Sequence, residues 1–162
     1  MFFSTATGYA LRALAALPDD GTYSLVKDLA NRLELPGPYL AKILQSLAQE
    51  GLLTSARGPR GGFRLARPAS KITVGEVVTL LDGLGAMSGC VMGLSQCGDH
   101  DRPCPLHEAW ADVRQRLEQT MAKVTIRDLQ RLGACGSEPA ARSHMVLAAT
   151  ADLMPLAVGG TR

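Results

Sequence analysis

Aromatic residues make up only 4% of the 162-residue chain. So sparse a set argues against a platform that stacks the successive bases of a single strand. Long apolar runs are missing too: none approaches the roughly 20 residues needed to cross a bilayer. The apolar N-terminus, MFFSTATGYALRALAALPDDG, has no basic segment ahead of it, and its apolar positions recur at helical spacing. It reads as a folded helix and not as a signal peptide, so the expected location is cytoplasmic, with no membrane partner. Internal repeats and low-complexity tracts are absent. So are catalytic signatures: there is no nucleophile–base pair, phosphate loop or catalytic carboxylate pair. Gly58-Pro59-Arg60-Gly61-Gly62 lacks the Lys-Ser/Thr that a phosphate loop carries into its helix. The chain is not expected to be an enzyme.

What is present begins with a core. Hydrophobic residues are 46% and charged residues 20%, a globular composition suited to one domain with an added arm. The net charge is only +2, but it is unevenly spread. Residues 1–75 carry nine Lys/Arg against five Asp/Glu, and residues 76–162 carry eight against ten. Arg57, Arg60, Arg64, Arg67 and Lys71 fall in a stretch without an acid. A local cationic feature on a nearly neutral chain suggests a polyanion met at one surface. A solvated basic loop is the plainer alternative. The four cysteines are Cys90, Cys97, Cys104 and Cys135, three of them within fifteen residues. In a reducing compartment such a cluster points to a metal or redox site more than to a disulfide framework.

Periodicity predicts a first helix over about residues 4–17, capped by Ser4, with Ala10, Leu11, Leu14 and Leu17 at helical spacing. Pro18-Asp19-Asp20-Gly21 is a turn. A second helix is expected from a Ser24 cap, carrying Leu25, Val26, Leu29, Ala30 and Leu33. Pro36-Gly37-Pro38 breaks the chain. A third helix carries Leu40, Ile43, Leu44 and Leu47 and ends at Gly51. Leu52-Leu53-Thr54-Ser55 and Gly62-Phe63-Arg64-Leu65 read as strands around the tip Ala56-Arg57-Gly58-Pro59-Arg60-Gly61. Thr73-Val74-Gly75-Glu76 is a capping-box pattern opening a helix to about Leu84. A loop follows. A long helix should run from about 103–105 to Lys123, with Leu106, Ala109 or Trp110, Val113, Leu117 and Met121 (or Thr120) as its apolar stripe. Thr125-Ile126-Arg127-Asp128 opens a last short helix ending at Gly133.

Three helices followed by a Gly-rich basic hairpin is the order of a winged helix-turn-helix. The third helix packs its apolar stripe inward, which leaves Tyr39, Lys42, Gln45 and Ser46 to face outward, as a recognition helix requires. Glycines let the hairpin tip approach a sugar–phosphate wall, and arginines supply the charge. Arg57, Arg60 and Lys42 are the phosphate-contact candidates. Tyr39 and Gln45 are base-contact candidates, together with Arg60 in a minor groove. Gly58, Pro59 and Gly61 shape the tip. Arg64 and Arg67 read as solvated. A helical domain with an exposed hairpin and no nucleic acid is the competing reading.

Pro38-Tyr39-Leu40-Ala41-Lys42-Ile43-Leu44-Gln45-Ser46-Leu47, Gly51-Leu52-Leu53, Arg57-Gly58-Pro59-Arg60-Gly61-Gly62-Phe63 and Ile72-Thr73-Val74-Gly75-Glu76-Val77-Val78 closely resemble the Rrf2 family of bacterial transcription regulators. The resemblance covers about residues 1–133. It implies a mainly α fold: a winged helix-turn-helix with a small β-hairpin wing and a long dimerisation helix. It implies a homodimer on a double-stranded DNA operator, and an iron–sulfur cluster, 2Fe–2S or 4Fe–4S, held by a three-cysteine loop. The domains are then 1–84 for DNA binding, 85–104 for the sensor loop, 105–133 for the dimerisation helix and its short successor, and 134–162 for a flexible tail. Position 60 is Arg where many relatives have Gly. The cysteine spacing is C-x(6)-C-x(6)-C, against gaps of five in the family's cluster-biogenesis regulators.

Cys90, Cys97 and Cys104 offer three soft thiolates, and such wide gaps suit a cluster whose irons sit apart. His107, three residues after Cys104, matches the family's fourth ligand. Some nitric-oxide-sensing relatives use an acid near the start of the first helix instead, but Thr5-Ala6-Thr7-Gly8-Tyr9 has none. His100, Asp99 and Asp101 are other candidates. Structural zinc is disfavoured because no tight C-x(2–4)-C pair exists. A thiol–disulfide switch without a cluster is the alternative sensing chemistry. Cys135 lies outside the pattern, and Trp110 reads as a packing aromatic. The expected function is a repressor sensing redox, nitric oxide or iron–sulfur status.

Overall fold

The computed structural model describes residues 3–83, 90 and 104–132. Helix α1, Thr5–Ala16, starts as the sequence predicts. Ser4 is extended, and its hydroxyl accepts the Thr7 N–H at 3.2 Å. Ala10, Ala13 and Leu14 form its buried face. Helix α2, Val26–Leu33, corrects the expected Ser24 cap: Leu25 occupies the N-cap position, without a side-chain hydrogen bond. The cause lies in the backbone. Ser24 and Phe63 exchange two backbone hydrogen bonds of 2.9 Å, which keeps the chain extended through Ser24.

The turn from α2 to α3 also differs from expectation. Its reversal sits at Glu34, in the left-handed region (φ 53, ψ 45), and the Leu35 N–H then closes on Ala30 O at 2.9 Å. Helix α3, Gly37–Gln49, takes Gly37 and Pro38 into its first turn. A proline is tolerated there because its missing N–H would have had no helical partner. Leu40, Ile43, Leu44 and Leu47 are buried, and Gly51 (φ 77) reverses the chain as predicted.

Strands β1, Leu53–Ala56, and β2, Gly62–Leu65, pair antiparallel with Leu53 opposite Leu65 and Ala56 opposite Gly62. The Ser24 bridge makes the preceding loop a one-residue third strand on β2. After a 3₁₀ turn at Ala69–Lys71, helix α4 spans Val74–Asp82. Only half of the expected capping box forms. Thr73 accepts the Glu76 N–H at 3.2 Å, but the Glu76 carboxylate turns away to pair with Arg67. Arg67 is therefore not simply solvated.

Helix α5 spans His107–Met121 and α6 Ile126–Arg131. At Thr125–Asp128 both halves of the capping box are present. The chain before α6 is stitched to the chain before α4: Val74 N–H bonds Val124 O at 2.9 Å, and Ile126 N–H bonds Ile72 O at 2.8 Å. One core, including fully buried Leu14, Leu40, Leu44, Ile72 and Ile126, unites α1–α4 and α6. Each such side chain contributes about 1.5–3 kcal/mol by leaving water. A smaller cluster of Val74, Val78 and Met121, with Phe3, Trp110 and Leu117 against it, docks one face of α5.

Candidate nucleic-acid interface and cysteine site

The outward face of α3 is the one its sequence predicts. Tyr39, Lys42, Gln45 and Ser46 are exposed, while the leucines between them are buried. Tyr39 is 42% exposed and does not float free: its ring meets that of Tyr9 edge to face, with centroids 5.9 Å apart. Tyr9, on α1, carries no signal in the sequence beyond its residue type, and nothing in the periodicity pairs it with Tyr39.

The wing tip is a tight turn in which the Gly61 N–H bonds Gly58 O at 3.0 Å. Gly58 has φ 104, a conformation that favours glycine. Arg57, Pro59 and Arg60 are exposed on this turn and Gly61 is buried beneath it. Among the described residues, none of Arg57, Arg60 and Lys42 takes part in an ion pair, so their charge is available to a polyanion. Arg64 is used differently. Its guanidinium lies 4.8 Å from the Tyr23 ring centroid and reaches Gly21 O at 3.4 Å. It braces the loop before α2 against β2 and is not the solvated cation that the sequence suggested. A cleft of about 480 Å³ opens between the tip and the start of α2, bordered by Thr22, Ser24, Asp28, Arg32 and Arg60. It was not legible in the sequence, because its walls come from two segments far apart in the chain, within 22–32 and 59–61.

Cys90 and Cys104 come together, with their sulfurs 3.8 Å apart. That is far beyond a disulfide bond of about 2.05 Å. It is close to the edge of a tetrahedron whose metal–sulfur bonds are about 2.3 Å. The His107 N–H bonds Cys104 O at 2.9 Å, which sets the histidine at the first residue of α5, one tight turn after the thiol. The donor set is therefore the right kind for a soft metal or cluster, and two of its members are already at a ligating separation. Cys97, His100, Asp99, Asp101 and Cys135 lie outside the described residues, as do most of 85–103 and all of 134–162. Among the described residues no group of three or more metal-binding side chains assembles. No described helix is long and apolar enough to cross a membrane.

Comparison with known proteins agrees with this architecture. The family model described as Rrf2, iron-dependent transcriptional regulator, matches residues 3–131. The HTH-type transcriptional regulator IscR of Yersinia enterocolitica is 33% identical over 124 residues, spanning 75% of this chain and 74% of the relative. The structure of CymR, the global cysteine regulator of B. subtilis, superposes with a TM-score of 0.67 at 25% identity, covering 80% of this chain and 96% of that one. CymR of Staphylococcus aureus in its oxidized form gives 0.62 at 26% identity, over 80% and 96%. These relatives are transcriptional regulators and not enzymes. With the winged-helix arrangement and the family match over residues 3–131, the chain belongs to the Rrf2 family of transcriptional regulators.

Proposed function

We propose that this regulator is a homodimeric repressor whose grip on a double-stranded DNA operator is set by an iron–sulfur cluster at Cys90, Cys97, Cys104 and His107. The observation that carries the reading is the placing of the Cys90 and Cys104 sulfurs 3.8 Å apart at the threshold of α5, with His107 bonded back to Cys104. The relatives named IscR and the family's iron-dependent description support it. A bound cluster supplies reversible one-electron chemistry and a site open to oxygen or nitric oxide. The chain's own residues do the rest. Cysteine thiolates would hold the group, and His107 would offer it an imidazole nitrogen from the start of α5.

The DNA half of the proposal rests on the exposed face of α3 and on the wing. Tyr39, Lys42 and Gln45 enter the major groove, and Arg57 and Arg60 neutralise flanking phosphates while Gly58, Pro59 and Gly61 allow close approach. A second copy of the chain covers the free part of α5. Val113 on that helix and Leu106 at its N-cap are 50% and 47% exposed, in contrast to Trp110, Leu117 and Met121, which pack within the chain. The operator is then a paired site whose half-site spacing follows the two recognition helices.

The same short sulfur separation favours a second reading, a cluster-free switch in which Cys90 and Cys104 give up two electrons and two protons to an oxidant and form a disulfide. The likeness to the oxidized CymR structure fits that reading. Anaerobic purification with iron and sulfide counts and a visible spectrum, on the native chain and on His107→Ala, separates the two. Matching iron and sulfide with visible charge-transfer bands, weakened or shifted in His107→Ala, is expected. A colourless, iron-free native protein overturns the cluster and leaves the thiol switch.

A further inference from the structure

Tyr39 is the third residue of α3 and, in the proposed reading of that helix, one of the side chains that reach base edges. Its backbone is already fixed. Pro38 before it has a locked φ, and the Leu40 N–H closes the first turn on Pro36 O at 2.9 Å. The side chain is a different matter. At 42% exposed it stands largely clear of its own helix, where a ring would ordinarily exchange between staggered positions about χ1.

What meets it is Tyr9 of α1. The ring centroids are 5.9 Å apart and the planes cross at 77°, the edge-to-face geometry that aromatic pairs prefer. Tyr9 is itself held. It lies partly buried against the main core, and its helix neighbours Ala10 and Ala13 are fully buried there. One turn further along α1, Arg12 Nη2 donates a hydrogen bond to the carbonyl of Leu33, the last residue of α2, at 2.7 Å. Helix α1 therefore grips both sides of the turn between α2 and α3: the end of α2 through Arg12, and the start of α3 through Tyr9.

We infer that Tyr9 is a positioning residue for sequence recognition: it holds the Tyr39 ring in one orientation before DNA arrives, so that base selectivity at that position belongs to the pair. The inference rests on the proposed reading of α3 as the helix that enters the major groove. Tyr9 does this without touching DNA. A side chain ordered in the free protein has less freedom left to lose on binding, and a fixed ring fits one base edge better than the others. Loss of Tyr9 weakens the selected sequence and spares the binding that phosphate contacts at the wing carry on any sequence.

The test measures the affinity of the anaerobically purified full chain, at fixed salt, for two duplexes of equal length and composition. One is selected by the native protein from a randomised pool, and the other is a scramble of it. Tyr9→Leu keeps apolar bulk against the core and removes the ring. It should weaken the selected duplex by about threefold to tenfold, the range that ordering one side chain is worth, and leave the scramble unchanged. Tyr9→Met serves where Tyr9→Leu does not fold. Tyr9→Phe keeps the ring and should restore the native ratio of the two affinities. In a Tyr39→Ala background, Tyr9→Leu should have no further effect on that ratio. Equal losses on both duplexes, or an undiminished effect in the Tyr39→Ala background, assign Tyr9 a general structural role and overturn the inference. So does a Tyr9→Phe as selective as Tyr9→Leu, which points to a hydroxyl contact with DNA. Failure of the recognition-helix reading looks different: Tyr39→Ala alone then leaves the native ratio intact, and the inference falls with it. The chain has three tyrosines, so 3-fluorotyrosine labelling reads the native protein directly, with Tyr39→Ala identifying the signal. Without DNA, the Tyr39 fluorine signal should be displaced from its position in the unfolded chain, and a signal at the unfolded position overturns the inference.

Discussion

Gly62 shows how much a single missing side chain can decide. It has φ 119, and a Cβ built there would lie 2.1 Å from Ser24 O. The absent methyl is what lets β2 exchange hydrogen bonds with Ser24 and fix the wing to the loop before α2. Gly58 at the wing tip also has a positive φ, but a Cβ there meets nothing within 4 Å. The two glycines should therefore differ. Gly62→Ala is expected to cost roughly 3 kcal/mol or more, because strain and a backbone clash add, while Gly58→Ala costs about 1 kcal/mol from strain alone. Urea unfolding of both variants checks this, and equal losses would contradict the account of the wing root. The sequence shows both glycines but not their difference, which depends on a contact 38 positions away.

At the scale of elements, what the sequence revealed and what it hid divide by range. Helices α1 and α3 and both strands were legible because a local pattern sets each one: a Ser4 cap, an i, i+3, i+4, i+7 stripe, a glycine at a reversal. The start of α2 was not, because its best cap, Ser24, was claimed by the distant Phe63. Nor was the α2–α3 reversal, because Glu34 holds a conformation usually given to glycine. The two capping-box patterns look alike in sequence, yet only Thr125–Asp128 closes fully, since Arg67 draws Glu76 away from Thr73. The closed box makes a pH-dependent prediction. Hydrogen bonds from the Thr125 side chain and backbone hold the Asp128 carboxyl below its ordinary value of 3.8. A lowered folded pKa stabilises above the unfolded value and is lost as pH falls through the folded one. Thr125→Ala should thus lower stability by about 1 kcal/mol at neutral pH. The gap to the native protein should narrow below pH 4, as Asp128 is protonated. A gap that widens on acidification would contradict this.

At the scale of the whole molecule, the parts form one line of argument. The sequence supplied the outward residues of α3, the basic tip and the three-cysteine pattern. The structure added the Cys90–Cys104 approach, the Tyr9–Tyr39 contact, the Asp82–Ser4 bond and an α5 that is docked on one face and exposed on another. The Tyr9–Tyr39 and Asp82–Ser4 contacts join residues 30 and 78 positions apart, so no window of sequence contained them. Together they fit the proposed regulator, in which the state of the cysteine site sets the grip of α3 and the wing on DNA. The measurement that tests this most directly is the affinity for one duplex, selected from a randomised pool, at fixed salt. It compares anaerobically loaded protein with the same protein stripped by chelation. The two states should differ in affinity by about fivefold to 150-fold. Equal affinities, with iron and sulfide confirmed in one sample and absent from the other, would contradict it.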